Sequence, residues 1–260
     1  MLTPKQFNQV KKLVAAYTKT LNLDEVRDEF LKKGIMNQNA KLVKGSNYNV
    51  GLEILPSVLA PGLNACPGAG ECKYSCLVFA GVGNMLHGKK MVNDAILTPV
   101  LKSRARKTFL LQNDRDFTEK LLTLEINKHS EIAALGGATF GARLNVLSDL
   151  DWRQFTNNMS HINFYDYTKV WSRESTDNYK LTFSASELTS DEDIIKKLSA
   201  GENVAVVFQG KLPETYLGFP VLDGDISDDR YNDEAGTVIG LKVKATIDGN
   251  KKSSFIRSVT

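Results

Sequence analysis

The chain has 260 residues, 42% of them hydrophobic and 24% charged, a globular composition that excludes disorder as the main state. Lys and Arg total 33 against 30 Asp and Glu, and the net charge of +3 excludes a protein that coats nucleic acid by bulk charge. No apolar run is long enough for a membrane helix, and the amphipathic N-terminus lacks the apolar core of a signal peptide, so no membrane partner and a cytoplasmic, reducing location are expected.

In chain order, Phe7, Val10, Val14 and Tyr17 recur at three- and four-residue steps and predict a helix over 3–19. A second helix is predicted over 23–33, ending before Gly34. These form a helical extension over 1–45, ahead of a single α/β domain over 46–260. Residues 49–55, NVGLEIL, read as a strand, and the Pro- and Gly-rich stretch that follows reads as a loop. From about 76 to 132 the chain reads as helical, with segments over 88–112 and 115–132 separated by a turn at Asp114. Beyond Gly136-Gly137, β-rich runs occupy 142–148, 162–168, 180–186, 203–209 and 237–243, with a weaker one at 220–225. Helices fit at 152–159 and 190–200, the latter opening on a Ser N-cap and an acidic turn. This spacing predicts β/α units and a mainly parallel sheet, arranged as a TIM-like or incomplete β/α barrel with an added helical N-terminal half.

The polar residues of these strands gather at their C-terminal ends, the edge where parallel α/β folds bind ligands. Asp149, Lys169, Glu187 and Asp225 are therefore the candidates for acid/base work, and Arg143, Asn145, Ser184, Ser186 and Arg230 for substrate binding. Tyr165 and Tyr167 alternate with Phe164 and Asp166, so one face of that strand presents tyrosines to a ligand. DGDISDDR, at 223–230, carries four carboxylates in a dense stretch that binds a divalent cation, holds arginines, or forms a solvated acidic turn. The basic residues Lys102, Arg104, Arg106 and Lys107 either meet phosphates or, as the favoured reading, form a solvated helix face.

All three cysteines, Cys66, Cys72 and Cys76, lie in one Gly-rich loop with the spacing C-x5-C-x3-C. An odd, clustered set in a reducing compartment is a poor disulfide framework and a plausible metal loop, 66–76. Three thiolates anchor a [4Fe–4S] cluster and leave one iron open. Zinc is the alternative: the fourth position holds either an activating water, with Glu71 beside it, or His87. The spacing fits no standard zinc finger, which favours iron–sulfur. His129-Ser130-Glu131 has the first half of a deaminase signature, but no cysteine follows it.

A strand, then a three-cysteine loop, then helix, ahead of a β/α series, resembles the radical S-adenosylmethionine enzymes. The chain departs from their C-x3-C-x2-C spacing and has only Gly136-Gly137-Ala138 as a counterpart of their glycine-rich motif, which puts S-adenosylmethionine in doubt as a cofactor. The strings ACPGAGECKYSC, RLNVLSDLDW, INFYDYTK, KLTFSASE, NVAVVF, DGDISDDR and VIGLKVK together resemble the phage protein family named after gene product 88 of a mycobacteriophage, over about 49–245. That resemblance implies a phage source, the host cytoplasm and a role for the cysteine loop, and no particular reaction. The expected function is a phage-encoded metal-binding protein, an enzyme acting on a nucleotide or nucleic acid. The alternative is a zinc-stabilised module that engages a host protein or nucleic acid without catalysis.

Overall fold

The computed structural model describes residues 4–39, 42–44, 47–76, 78, 96–243 and 254–258. The described helices are α1 (Pro4–Thr18), α2 (Leu23–Lys33), α3 (Pro99–Asn113), α4 (Arg115–Leu135), α5 (Arg153–Thr156) and α6 (Asp191–Ser199). The strands are β1 (Tyr48–Gly51), β2 (Phe140–Arg143), β3 (Asn163–Thr168), β4 (Tyr179–Ser184), β5 (Val204–Gln209), β6 (Thr215–Tyr216), β7 (Phe219–Asp223), β8 (Val238–Lys242) and β9 (Ile256–Ser258).

Local chemistry accounts for the helix ends. Asn22 caps α2 by accepting the N–H groups of Asp24 and Glu25, and Gly34 stops it with φ +78°. Thr98 caps α3, with Pro99 in its first turn, so this helix starts later than the segment at 88 expected from the sequence. Residues 79–95 lie outside the described residues, and His87 with them. Asp114 ends α3 and caps α4 through the N–H of Phe117. Ser190 and Asp193 form a reciprocal capping box on α6. The helix expected over 152–159 is a single turn, α5.

The strands pair in the order β1-β2-β3-β4-β5-β8-β7-β6, parallel throughout except for the β6–β7 hairpin. The sheet is open, so the closed TIM-like barrel expected from the spacing is not formed. Both ends of the sheet are occupied: Gly51 at the β1 edge makes an antiparallel bridge to Asn37, and β6 closes the other edge as an antiparallel partner of β7. Strands β1 to β5 nevertheless follow each other in space as they do in sequence, the order that successive β/α units give.

The main core lies between this sheet and helices α2, α4 and α5, with Phe30, Leu110, Leu122, Ile126, Trp152 and Phe164 buried together. A second core joins Val10 and Val14 of α1 to Leu55, Leu59, Leu101 and Ala105, so the N-terminal helices pack directly on the α/β unit. A third fills the space under α6 with Ile194, Leu198, Val204, Val206 and Phe208. Among the described residues no helix is long and apolar enough to cross a membrane.

The basic stretch on α3 is neither a phosphate patch nor a solvated face. Arg104 donates to Glu53 at 2.5 and 3.0 Å, Arg106 pairs with Glu29 at 2.8 Å and donates to Tyr17 Oη, and Lys107 donates to Asn37 Oδ1 at 2.9 Å. Burial pushes Lys107 down to about 8. Burial acts to raise the Glu53 carboxyl, but Arg104, with help from Asn39 and Lys107, outweighs it and holds that group below its ordinary value. These charges join α3 to α1, α2 and the segments on both sides of β1.

Candidate functional site

At the carboxyl edge of the parallel strands lies a cavity of about 270 Å³. Its wall takes Arg143, Asn145, Ser148 and Asp149 from the end of β2 and the turn after it, Tyr167 and Lys169 from β3, Ser184 from β4, Val207 from β5 and Leu241 from β8. The loop after β1 closes it with Cys66, Cys72 and Cys76.

The loop reaches this position because two glycines permit close approach. A Cβ on Gly68 would stand 2.6 Å from Lys169 Cβ, and Gly70, at φ +33°, packs directly on the Glu187 carboxylate. Glu187 Oε1 then accepts the N–H of Glu71 at 2.8 Å, pinning the first turn of a short 3-10 helix, Glu71–Ser75. Cys66 is fixed from both sides: its N–H donates to Ser57 Oγ at 2.6 Å, and its thiol donates to Leu147 O at 3.6 Å. Burial pushes the Cys66 thiol up, and pushes Cys76 up to about 12, so both are held protonated when nothing binds them. All three cysteines are free thiols.

Several of the expected site residues serve the frame of the cavity. Asp149 Oδ2 accepts the N–H of Lys169 at 2.8 Å while its other oxygen pairs with the buried Arg173. Asn145 Oδ1 accepts from Ser148 Oγ and from the N–H of Leu150. Asp225 lines the mouth, accepts the N–H of Lys242 at 3.0 Å, and offers its carbonyl to Lys44. Ser186 caps the following turn through Thr189 and Leu188, and does not line the cavity. Glu187 and Arg230 are also off the wall: Glu187 anchors the loop, and buried Arg230 pairs with Asp233 at 3.1 Å.

Under the cavity sits a polar floor. Arg143 donates to Asp228 at 2.9 Å, with its guanidinium carbon 5.0 Å from the Tyr167 ring centroid. Burial works against the charge of Arg143, but Asp228 and Asp166 outweigh it and keep the guanidinium charged. Asp229 accepts from Asn49. Within the acidic stretch at 223–230, Asp228 thus holds an arginine, one of the three readings of that stretch. Of the tyrosine face, Tyr167 reaches the wall, whereas Tyr165 is fully buried beneath it against Tyr231, with ring centroids 5.4 Å apart.

Lys169 stands in the middle of the wall. Its ammonium donates to Ser184 Oγ at 3.1 Å and to Ala185 O at 3.4 Å. Burial pushes it below the ordinary lysine value, against the pull of Cys72, Glu187 and Asp149.

One contributor had no strand signal in the sequence. Strand β9 pairs with β5 at Val207–Gln209, while β8 already covers Val204–Phe208 on one edge. It therefore occupies the β4 side, where β4 and β5 are in register only at Phe183–Val204 and Ser184–Ala205. The two strands diverge beyond that point, and β9 fills the notch. This brings Phe255 to the cavity, its ring centroid 6.0 Å from Lys169 Nζ, and lets the N–H of Ser254 donate to Glu71. Asp248-Gly249-Asn250 is a turn signal ahead of it, but a three-residue strand without alternation is too short for sequence patterning to detect.

Among the described residues, no three His, Cys, Asp or Glu side chains converge closely enough to hold a single metal ion. Zn–S bonds of about 2.3 Å require thiolates within roughly 4 Å of each other. Gly136 and Gly137 end α4 just before β2, at the amino edge of the sheet and away from the cysteines, so they are not placed to serve a ligand there.

A family model described as gene product 88 matches residues 30–258, further at both ends than the 49–245 read from the motifs. No curated protein and no solved structure matches the chain.

Proposed function

The chain belongs to the gene product 88 family of phage proteins, and we propose that it is an iron–sulfur enzyme whose reaction chamber is the cavity at the carboxyl edge of its open half-barrel. The observation that carries this reading is that Cys66, Cys72 and Cys76 line one cavity together with Arg143, Asn145, Tyr167, Lys169 and Ser184. The donor set fits a polynuclear cluster better than one zinc ion. The thiols share a cavity yet do not converge on a point, and a cluster separates its thiolates by binding each to a different iron. Such a cluster supplies electron transfer, or a Lewis-acidic iron at its open position.

The protein's own part is binding, orientation and exclusion of water. The Ser57 and Leu147 bonds set Cys66, the Glu187 anchor sets the turn carrying Cys72, and Asp149 with Arg173 fixes the backbone from which Lys169 enters the wall. Substrate enters past Asp225 and Lys242 and lies against Val207, Leu241 and Phe255. A nucleotide or nucleic-acid component is the substrate class expected from the sequence, and the host cytoplasm, reducing to thiols, is the compartment that suits the site.

The test is anaerobic purification followed by iron, sulfide and zinc analysis. The expected result is a brown protein with about three to four irons and matching sulfide. Cys72→Ala is expected to lose them with the fold retained by circular dichroism. A colourless protein with one zinc, active after alanine replacement of Lys169 and Asp225, establishes a zinc-stabilised binding module in its place.

A further inference from the structure

The cavity carries an ammonium with no direct carboxylate partner among the described residues. Arg143 on its wall is paired with Asp228 at 2.9 Å, and Lys242 with Asp223 at 2.9 Å. Lys73 also has a partner. Lys169 differs: its ammonium meets only two neutral oxygens, Ser184 Oγ and Ala185 O, and no carboxylate among the described residues comes within 4.0 Å of it. Of the nearby carboxylates, Asp149 is committed to Arg173 and to the Lys169 N–H, and Glu187 gives one oxygen to the N–H of Glu71 and acts on Lys169 only through space, its buried second oxygen having no hydrogen-bond partner.

Burying an ammonium without a counter-ion costs several kcal/mol, which proteins tolerate where a ligand completes the pair. The remaining wall is mostly apolar: Val58, Leu147, Val207, Leu241 and Phe255 line the cavity, and the Phe255 ring centroid is 6.0 Å from the ammonium. One ammonium without a direct carboxylate contact, in a mainly apolar chamber of about 270 Å³, matches one negative charge on a small apolar body. It does not match a polyphosphate, whose further charges would face Asp149 and Asp225.

We propose that the cavity binds a small organic monocarboxylate, its carboxylate on Lys169 Nζ and the Ser184 hydroxyl and its apolar body against Val207, Leu241 and Phe255. The site does not depend on a metal, so it goes beyond the iron–sulfur reading, and it puts a small carboxylate in place of the nucleotide expected from the sequence. Ser184 keeps its hydroxyl hydrogen for the ligand because its oxygen already accepts from Lys169.

The experiment is calorimetric titration of the full chain, in metal-free and reconstituted forms, with straight-chain monocarboxylates from butanoate to nonanoate, the matching primary alcohols, inorganic phosphate and adenosine monophosphate. The expected result is binding of at least one acid, at least tenfold tighter than its alcohol, with both phosphates weaker. Lys169→Met is expected to abolish the preference for acid over alcohol while melting at or above the wild-type temperature, because it removes a buried unpaired charge. Lys169→Arg, which keeps the charge, is expected to retain the preference and serves as the reading if the Met variant does not fold. The proposal is overturned if no acid binds, if acid and alcohol bind alike, if either phosphate binds more tightly than every acid, or if Lys169→Met keeps the preference. Iron content is measured on the same samples, so loss of the cluster and loss of the carboxylate site are separate results.

Discussion

Asp166 is a carboxylate pulled in two directions. It is fully buried, and burial lifts it to about 7, although the Arg143 charge, Tyr179 Oη at 2.8 Å and the N–H groups of Asn145 and Leu144 all act to lower it. The folded state therefore binds a proton more tightly than the unfolded chain, where an aspartate titrates near 3.9. The stability this contributes is complete below about pH 4 and is lost as the pH rises through 7, a fall of the order of a few kcal/mol. Asp166→Asn is expected to be less stable than wild type in acid, because one acceptor oxygen is lost, and to show a flatter stability curve between pH 4 and 7.5. Urea titrations across that range measure the difference, and parallel curves for the two proteins would refute the assignment. From the sequence Asp166 is simply one more polar residue near a strand end. Alternation separates it from Tyr165 and Tyr167, and it is absent from the cavity wall that Tyr167 reaches.

The loop over 66–76 depends on contacts that only glycine allows. Alanine at position 68 would place a methyl 2.6 Å from Lys169 Cβ and 3.1 Å from its carbonyl oxygen, and neither is the flexible end of a side chain. The loop must move away from β3, at a cost of about 1–3 kcal/mol. If the proposed cluster is present, Gly68→Ala is expected to keep the sheet and helices while losing most of the iron, as measured by circular dichroism and metal analysis on one preparation. Full iron content would show that the loop is not held by this approach. Most elements were legible beforehand because their signals are local. The apolar runs at 162–168, 180–186, 203–209 and 237–243 fall within a few residues of β3, β4, β5 and β8, and Ser190 marks the start of α6. The roles of Glu187, Ser186 and Arg230 were not legible. Proximity to a strand end does not say whether a side chain turns into the cavity, onto a loop, or under the floor.

At the scale of the whole molecule, β/α spacing gives strand order but not closure. Whether a curled sheet seals depends on what covers its last two edges, and here Asn37 and the two-residue β6 do so. Neither has a pattern that separates it from a loop. The notch between β4 and β5 has a consequence for association. Strand β9 holds its place through pairing over Val207–Gln209, the Arg257 bond to Thr189 O and the Ser254 bond to Glu71. The same bonds form equally well when the strand belongs to a second copy, so protein concentration governs the balance between self-filling and exchange. Concentrated samples are expected to contain a reciprocal strand-swapped dimer, two complete cavities each walled by the other copy's Phe255, that returns slowly to monomer on dilution. Sedimentation velocity over a concentration series measures it, and a single monomeric species throughout would show that the strand does not exchange.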